Sequence, residues 1–462
     1  MRSVTDRVVI IGGDAAGMSA AAQAKRTAAQ TGRELEIVVL ERGHWTSYSA
    51  CGIPYWVAGD VPDADALVAR TPQQHRANGL DVRMGTEATE IDLGARIVQA
   101  REVASGVRER LPFDQLVIAT GAVPVRPDLP GVWADGVHGL QTLDDGAELL
   151  RTLESARSLR SAVVVGAGYI GIEVAEACHR RGLDTTLVDL ADEPMTTLDP
   201  DMGALVRQAL ESMGITVLTR TRVHGFEAGP DGWVSGVVTA DTTLPADVVV
   251  MGLGVRPNTV LASEAGLPVG ASAGVSVDRR QAVVGHDGIW AAGDCVESFD
   301  RVSQTWVHVP LGTHANKQGR VLGTNIGGGY DTFPGIVRTA ISRVCDLEIA
   351  RTGLGEAGAA AAGFDCVVAR VQSSTTAGYM PGASPMTVKV VAETGTGRLL
   401  GAQIVGSGPG SAKRIDTCAL ALWNGMSVQE LAMTDLAYAP PFSPVWDPVQ
   451  IAARKAADAA SS

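Results

Sequence analysis

The chain has 462 residues, more than one hydrophobic core normally supports, so about two to four domains are expected. Its formal net charge of −13 argues against nucleic acid or an anionic membrane surface as the main partner. No apolar stretch reaches the length of a membrane span, and the N-terminal residues contain no apolar signal core. We therefore expect a cytoplasmic protein.

The N-terminal pattern is that of a βαβ unit. Residues 7–41 read as a strand, a glycine-rich turn, an alanine-rich helix and a second strand that ends at Glu41. Glycines in such a turn let the backbone approach a pyrophosphate, and the helix N-terminus offers unpaired N–H groups. Gly12 and Gly17 fit this fingerprint, whereas Asp14 stands where the middle glycine belongs. The Asp14 side chain must then point away from the pyrophosphate, and Glu41 supplies the ribose acceptor.

The next informative stretch is a buried strand that ends in a tight turn. It includes the short sequence Ala119, Thr120 and Gly121, which resembles the link between the two nucleotide domains of flavoproteins. The prolines that follow predict a domain boundary; they are Pro124, Pro127 and Pro130.

A second βαβ unit spans about 161–189, and its fingerprint is complete. Gly166, Gly168 and Gly171 have the required spacing, and Asp189 ends the next strand, where it can accept from both ribose hydroxyls. Asp189 would repel a 2′-phosphate, and residues 190–193 offer no basic side chain to hold one. NADH is therefore expected rather than NADPH.

The rest of the chain completes the fold class. Gly293 and Asp294 end a strand in a sequence that resembles the second FAD motif of flavoproteins, whose aspartate binds the ribitol chain. From about residue 333 the pattern changes to alternating strands and helices without a phosphate loop. We expect an α/β protein with two Rossmann-like domains and a C-terminal α+β dimerisation domain. The predicted boundaries are 1–125 with 253–330 for FAD, 126–252 for NAD(P)H, and 331–462 for dimerisation.

One of the six cysteines stands out. Cys51 follows Glu41 by ten residues and lies at a predicted helix start, with Pro54 in the first turn. A helix N-terminus stabilises a thiolate, which makes the sulfur nucleophilic. No cysteine lies nearby to form a dithiol, so the oxidised form is a sulfenic acid or a mixed disulfide. The other five show no metal-ligand spacing and read as buried apolar residues, so no metal is expected.

These residues resemble the single-cysteine group of the pyridine nucleotide-disulfide oxidoreductases over essentially the whole chain. The sequence from Ser47 to Tyr55 and the run 438–444 are most similar to coenzyme A disulfide reductases and related NADH-dependent sulfur or persulfide reductases. The resemblance implies a homodimer in which hydride passes from NADH to FAD. The flavin then releases Cys51 from a mixed disulfide with coenzyme A.

The resemblance also assigns individual roles. Tyr438 and Tyr379 match residues that reach the partner subunit's active site, and without a histidine after His314, Tyr438 is the expected proton donor. For Tyr438, packing in a proline-rich loop remains an alternative. Tyr169 matches a shield over the flavin, Glu173 a nicotinamide-side position, and Ala315 lies in a segment that approaches the flavin. The matches to coenzyme A contacts are Gln23, Arg26 and Ser47.

Three functions are open from the sequence. The favoured one is reduction of coenzyme A disulfide or a related persulfide or polysulfide. The second is an NADH oxidase that works through a Cys51 sulfenic acid, although Ala15 stands where oxidases and peroxidases of the resembling group have histidine. The third is a flavoprotein that binds NADH slowly and signals through its dimer state, which would have no use for a reactive thiol.

Overall fold

A computed structural model describes residues 5–460. The strands, in chain order, are β1 (Asp6–Ile11), β2 (Leu35–Glu41), β3 (Asp81–Met84), β4 (Thr86–Asp92), β5 (Ile97–Glu102), β6 (Arg108–Pro112), β7 (Gln115–Ile118), β8 (Ala122–Pro124), β9 (Val137–Gly139), β10 (Ser161–Val165), β11 (Asp184–Val188), β12 (Thr216–Leu218), β13 (Val223–Ala228), β14 (Val234–Thr239), β15 (Thr243–Pro245), β16 (Val248–Met251), β17 (Val255–Pro257), β18 (Ile289–Ala291), β19 (Ser298–Asp300), β20 (Thr305–Val307), β21 (Ala340–Val344), β22 (Leu347–Gly353), β23 (Cys366–Ser374), β24 (Pro385–Glu393) and β25 (Leu399–Ser407). The helices are α1 (Ala15–Thr31), α2 (Ile53–Ala58), α3 (Pro72–Ala77), α4 (Leu143–Leu153), α5 (Tyr169–Arg180), α6 (Pro200–Ser212), α7 (Val260–Glu264), α8 (Gly312–Ile326), α9 (Glu356–Ala361), α10 (Ile415–Trp423), α11 (Val428–Ala432) and α12 (Pro448–Ala460).

The first layer is a parallel sheet drawn from two separate parts of the chain. Its strand order is β18-β7-β1-β2-β3, and each neighbouring pair is parallel. Val8, Val9 and Ile10 of the central strand are fully buried, as expected where helices cover both faces. The carboxyl ends of β1, β2 and β18 therefore lie along one edge, which is where ligands bind in such sheets.

The second layer repeats this plan. Its strand order is β12-β11-β10-β16-β9, again with parallel neighbours. Two small antiparallel sheets, β4-β5-β6 and β13-β14-β15, extend from the two parallel sheets, and β8 pairs with β17 where the chain crosses between them. The sequence prediction of two Rossmann-like units is confirmed.

The third layer is antiparallel, with strand order β21-β22-β25-β24-β23. Helix α12 packs against β23 and β24, and α10 packs against β22 and β25. This arrangement confirms the α+β expectation for the C-terminal region. None of the helices within residues 5–460 is long and apolar enough to cross a membrane. The expectation of no apolar signal core includes residues 1–4, which lie outside the described range.

Two helices approach each other closely because one of them presents glycines. A Cβ added at Gly319 or Gly323 of α8, or at Gly327 directly after it, would collide with backbone carbonyl oxygens of α1. The close packing brings the N-terminal turn of α8 to the first sheet. There a Cβ at Gly293 would lie 3.7 Å from the Cβ of Ala315.

A buried lysine fastens the second layer to the third. The Lys389 side chain on β24 is buried, and its Nζ lies 3.0 Å from a carboxylate oxygen of Asp199. It lies 2.5 Å from carboxylate oxygens of both Asp201 and Glu356. Gln403 completes the group by donating from Nε2 to Asp199 at 2.7 Å. A buried charge needs such partners, so the two layers hold each other in one orientation.

Candidate active site

The first glycine loop has the backbone of a nucleotide cradle. Gly12 has φ +108°, and a Cβ there would overlap the Ala119 carbonyl. A Cβ at Gly17 would overlap the Gly12 carbonyl, so both positions accept only glycine. The Glu41 carboxylate accepts from the N–H of Gly13 at 2.8 Å and of Gly43 at 2.7 Å. This holds Glu41 at the mouth of the loop, where a ribose would lie.

Asp14 is the unusual member of this loop. It precedes the first residue of α1, and its Oδ1 accepts from the N–H of Tyr48 at 3.3 Å. Burial raises the pKa of Asp14 to about 7, and the negative charges of Glu41 and Asp294 add to the shift. The carboxyl group thus connects the loop to the segment that leads to Cys51.

The other FAD-motif residues meet at the same sheet edge. Gly293 donates its N–H to the buried Gln318 at 2.8 Å, which fixes the turn before Asp294. Burial raises the pKa of Asp294 to about 6, and within residues 5–460 no group donates a hydrogen bond to its carboxylate. A half-buried carboxylate that accepts no hydrogen bond from the described residues fits a hydroxyl-bearing ligand such as the ribitol chain of FAD.

The linking motif, residues 119–121, joins the two segments in which the chain passes between the first and second layers. Thr120 donates from Oγ1 to the Asn258 carbonyl at 2.6 Å, and Asn258 donates back to the Thr120 carbonyl at 3.3 Å. Gly121 has φ +67° and accepts from the Asn258 N–H at 2.9 Å. The motif therefore locks the two strands that connect the first two layers.

The second glycine loop repeats the close backbone contacts of the first. Gly166 has φ +103°, and a Cβ at Gly171 would overlap the Gly166 carbonyl. At Gly168, by contrast, an added Cβ would meet no protein atom within 4 Å. Packing does not require glycine at that position, whereas the close approach of a pyrophosphate does. The Asp189 carboxylate accepts from the N–H of Ala167 at 2.6 Å and of Ala191 at 2.7 Å.

Two residues of α5, Tyr169 and Glu173, carry polar groups that are largely buried. Tyr169 is the first residue of the helix, and its hydroxyl is buried without a hydrogen-bond partner within residues 5–460. Glu173 accepts from the Ser342 hydroxyl of β21 at 2.6 Å. Burial raises the pKa of Glu173 to about 7, so it can hold or release a proton near neutrality.

Cys51 is solvent-exposed and lies in a single turn of 3₁₀ helix, Ala50–Gly52, directly before α2. The expectation that a helix start lowers its pKa is wrong. Although the residue as a whole is exposed, neighbouring atoms partly desolvate its sulfur and raise the pKa of the thiol, and the negative charges of Glu173 and Asp294 raise it further. Helix α2 has only six residues and begins two residues after the cysteine, so its dipole is too short to outweigh two carboxylates.

A basic cavity of about 570 Å³ opens beside this segment. We call it the basic cavity; its polar lining residues are Lys25, Arg26, Arg70, Gln74, His75 and Asn78. Gln23 does not line it but accepts from Arg26 at 2.7 Å and so orients that side chain. Ser47, with φ +51°, bonds through Oγ to Nε2 of the buried His75 at 2.9 Å. Burial, reinforced by the positive charge of Arg70, lowers the pKa of His75 and keeps its ring neutral.

Tyr438 and Tyr379 lie on the surface of the third layer. Tyr438 is 47% exposed and Tyr379 is 76% exposed, and the two are neighbours, because Tyr379 adds to the rise in the pKa of Tyr438 that partial desolvation causes. Neither tyrosine is among the groups of the same chain that shift the pKa of Cys51. The large apolar side chains around them are also exposed; they are Phe442, Val445 and Trp446. Such a patch is typical of an interaction surface.

Comparison with known proteins identifies the family. Residues 6–319 match the model of the pyridine nucleotide-disulphide oxidoreductases, and residues 339–448 match the dimerisation domain of that group. The chain belongs to the pyridine nucleotide-disulphide oxidoreductase family. This oxidoreductase uses FAD and a nicotinamide dinucleotide, and the two cradles described above are the sites that fit them.

Relatives of this oxidoreductase have two kinds of name. It is 35% identical to an NAD(P)H coenzyme A polysulfide/persulfide reductase of Pyrococcus horikoshii, over 97% of this chain and 98% of the relative. It is also 35% identical to an NADH oxidase of Methanocaldococcus jannaschii, with the same coverage. The structure of an NAD-dependent persulfide reductase from A. fulgidus superposes with a TM-score of 0.92 at 38% identity, covering 98% of this chain and 83% of that one.

Several residues of the site were missed by the sequence reasoning. His75 and Arg70 reach the basic cavity from outside every motif, and only a cluster of basic residues at 70–76 could have indicated them. Ser342 reaches Glu173 from another layer, and no local signal marks it. The expectation that all other cysteines are buried is wrong for Cys345 and Cys366, which are half-buried because they lie at strand ends near the surface.

Proposed function

We propose that this oxidoreductase uses NADH to reduce coenzyme A disulfide, or a related persulfide or polysulfide, through Cys51. The observation that favours this substrate is the connection between the basic cavity and the thiol. His75 lines the cavity and bonds to Ser47, and the chain runs from Ser47 to Cys51 in four residues. In a chain of net charge −13, a cavity lined by Lys25, Arg26 and Arg70 suits the phosphates of coenzyme A.

In this proposal Cys51 is the nucleophile. The Cys51 thiolate attacks one sulfur of the disulfide, which forms a mixed disulfide with coenzyme A and expels the second coenzyme A thiolate. When bound, FAD would supply the hydride-accepting chemistry that connects NADH to the disulfide. Two electrons from NADH break the mixed disulfide, which returns Cys51 to the thiolate, and each coenzyme A thiolate leaves with a proton. Tyr438 of the partner subunit is the proposed donor for one of these protons.

The same proposal includes the assembly. We propose a two-fold homodimer in which the exposed patch around Tyr438 and Tyr379 packs against the partner and brings both hydroxyls toward the partner's Cys51. The domain boundaries after residues 125, 252 and 330 remain part of this proposal. The free state of all six cysteines supports a cytoplasmic location, where thiols stay reduced.

Mass spectrometry of the purified enzyme, without added reductant, tests the substrate. We expect the peptide that contains Cys51 to gain the mass of one coenzyme A, and dithiothreitol should remove it. Cys345 is also free and half-buried, so its peptide is the matched control and should stay unmodified. A coenzyme A adduct spread equally over both peptides, or absent after treatment with coenzyme A disulfide, would refute the proposal.

A second candidate function is an NADH oxidase that reduces oxygen through a Cys51 sulfenic acid. It is favoured by the exposure of Cys51 and by the name of the Methanocaldococcus jannaschii relative. Trapping with dimedone, which reacts with sulfenic acids, distinguishes the two functions. Labelling of Cys51 after reaction with NADH and oxygen would favour the oxidase, whereas an unlabelled Cys51 would favour the reductase.

A further inference from the structure

A second cavity, of about 350 Å³, lies between the first and third layers. None of the residues described in the active site lines it. We call it the arginine cleft; its charged and polar lining residues are Arg279, Arg301, Gln304, Arg398 and Asn424. Arg279 and Arg301 come from the first layer, and Arg398 and Asn424 come from the third. No Asp or Glu side chain lines the cleft.

The first two arginines are held in place by aromatic rings. The Arg279 guanidinium lies 4.7 Å from the centre of the Phe299 ring, and that of Arg301 lies 4.3 Å from the centre of the Trp423 ring. Arg301 also donates to the Trp423 carbonyl at 2.9 Å. Stacking fixes the plane of a guanidinium. Arg301 also donates to the Pro334 carbonyl at 3.4 Å and its Nε is buried, so it contributes mainly its charge, whereas no hydrogen bond within residues 5–460 occupies the Arg279 guanidinium.

The third arginine completes the set from the opposite wall. The Arg398 guanidinium lies 5.7 Å from the centre of the Phe364 ring. Among residues 5–460, none of the three cleft arginines forms an ion pair with a carboxylate. Asp300, next to Arg301 in sequence, is fully buried and paired with Arg338 at 2.5 Å, and Asp278, next to Arg279, accepts from the backbone N–H groups of Arg280 and Ala282 and does not line the cleft. Three positive charges therefore face one cavity uncompensated, in a chain whose net charge is −13.

We propose that the arginine cleft binds a small polyanion with two or more linked phosphate groups. A guanidinium fork matches two phosphate oxygens at once, and positive charges on two opposite walls of one cavity suit phosphates that are linked along a chain. The amides of Gln304 and Asn424 can donate to further oxygens. The faces of Phe299 and Trp423 nearest the arginines are already covered, so the phosphate chain rather than an aromatic base is the recognised part.

Calorimetric titration of the FAD-loaded enzyme with tripolyphosphate tests this site. Because each substitution removes charge-assisted hydrogen bonds to phosphate, Arg279→Gln and Arg398→Gln should each weaken binding by roughly tenfold or more. Arg280→Gln is the matched control, since its guanidinium lies over Tyr330 and does not line the cleft. All three variants should keep the flavin absorbance and the rate of flavin reduction by NADH.

A second titration with ATP distinguishes the source of the phosphates. Equal affinity for ATP and tripolyphosphate would assign the site to the phosphate chain alone, and tighter ATP binding would assign it to a nucleotide. Either result requires that Arg279→Gln weakens binding while Arg280→Gln does not. The proposal is wrong if the parent and the Arg279→Gln, Arg398→Gln double variant give the same titration. Tripolyphosphate bound at the basic cavity would give the same signal in the parent and in the double variant, so the difference between the two titrations reports the arginine cleft alone.

Discussion

Glu41 and Asp189 have the same hydrogen-bond geometry in two different layers. Glu41 is the last residue of β2, and Asp189 directly follows β11. Each carboxylate accepts from two backbone N–H groups at 2.6–2.8 Å. One N–H belongs to the glycine loop and the other lies two residues beyond the carboxylate. The backbone thus orients both acids before any nucleotide arrives, which lowers the entropy cost of binding a ribose.

The first prediction concerns nicotinamide specificity. We expect the parent enzyme to prefer NADH, and Asp189→Asn to lower kcat/KM for NADH by roughly tenfold, because a charged acceptor for the ribose hydroxyls is lost. The same substitution should lower kcat/KM for NADPH less than kcat/KM for NADH. Asp192→Asn is the control, since Asp192 is exposed and paired with Arg220. A parent preference for NADPH would contradict the argument.

The second prediction separates packing from ligand approach in the second loop. Gly171→Ala should lower the melting temperature, because its Cβ would overlap the Gly166 carbonyl. Gly168→Ala should keep the parent melting temperature and raise the Kd for NADH by roughly tenfold or more, because only the pyrophosphate needs that space. Thermal unfolding and NADH titration measure the two effects. A Gly168→Ala variant that binds NADH like the parent would show that the loop is not the cradle.

The third prediction concerns Asp14. Its pKa rises from 3.8 to about 7 on folding, so the folded protein without FAD holds this proton more tightly than the unfolded chain. Stability from this group is therefore lost as the pH rises from about 4 to about 7. Asp14→Asn should raise the melting temperature of the flavin-free protein at pH 8 and change it little at pH 4. Asp416→Asn, in an exposed ion pair, should show no such pH dependence. Equal effects of Asp14→Asn at both pH values would refute the prediction.

The fourth prediction links Glu173 to the thiol. The charge of Glu173 raises the pKa of Cys51, so Glu173→Gln should shift alkylation of Cys51 by iodoacetamide to lower pH. Because Glu173 itself has a pKa of about 7, the difference should appear mainly above neutrality. Glu154→Gln is the matched control, since Glu154 is exposed, pairs with Arg181 and shifts the pKa of neither Cys51 nor Glu173. An unchanged alkylation profile in Glu173→Gln would disprove the coupling.

Much of this structure was predictable from local sequence. The strand Leu35–Glu41 has the predicted bounds, and both glycine loops lie where the fingerprints place them, because strand–turn–helix geometry depends on residues close in sequence. The pKa of Cys51 was not predictable. It depends on Glu173 and Asp294, which the fold brings from distant parts of the chain. The same holds for Lys389, whose partners lie on α6 and α9, and for the basic cavity, which combines α1 with α3.

The most direct test of the central claim is stopped-flow absorbance of Cys51→Ser, beside Cys345→Ser as a control for a second free cysteine. In Cys51→Ser, FAD content and flavin reduction by NADH should match the parent. Turnover of coenzyme A disulfide should fall by roughly a thousandfold or more, because the attacking sulfur is gone. Cys345→Ser should retain both half-reactions. If Cys51→Ser reduces coenzyme A disulfide at the parent rate, electrons reach the substrate without this thiol and the account is wrong.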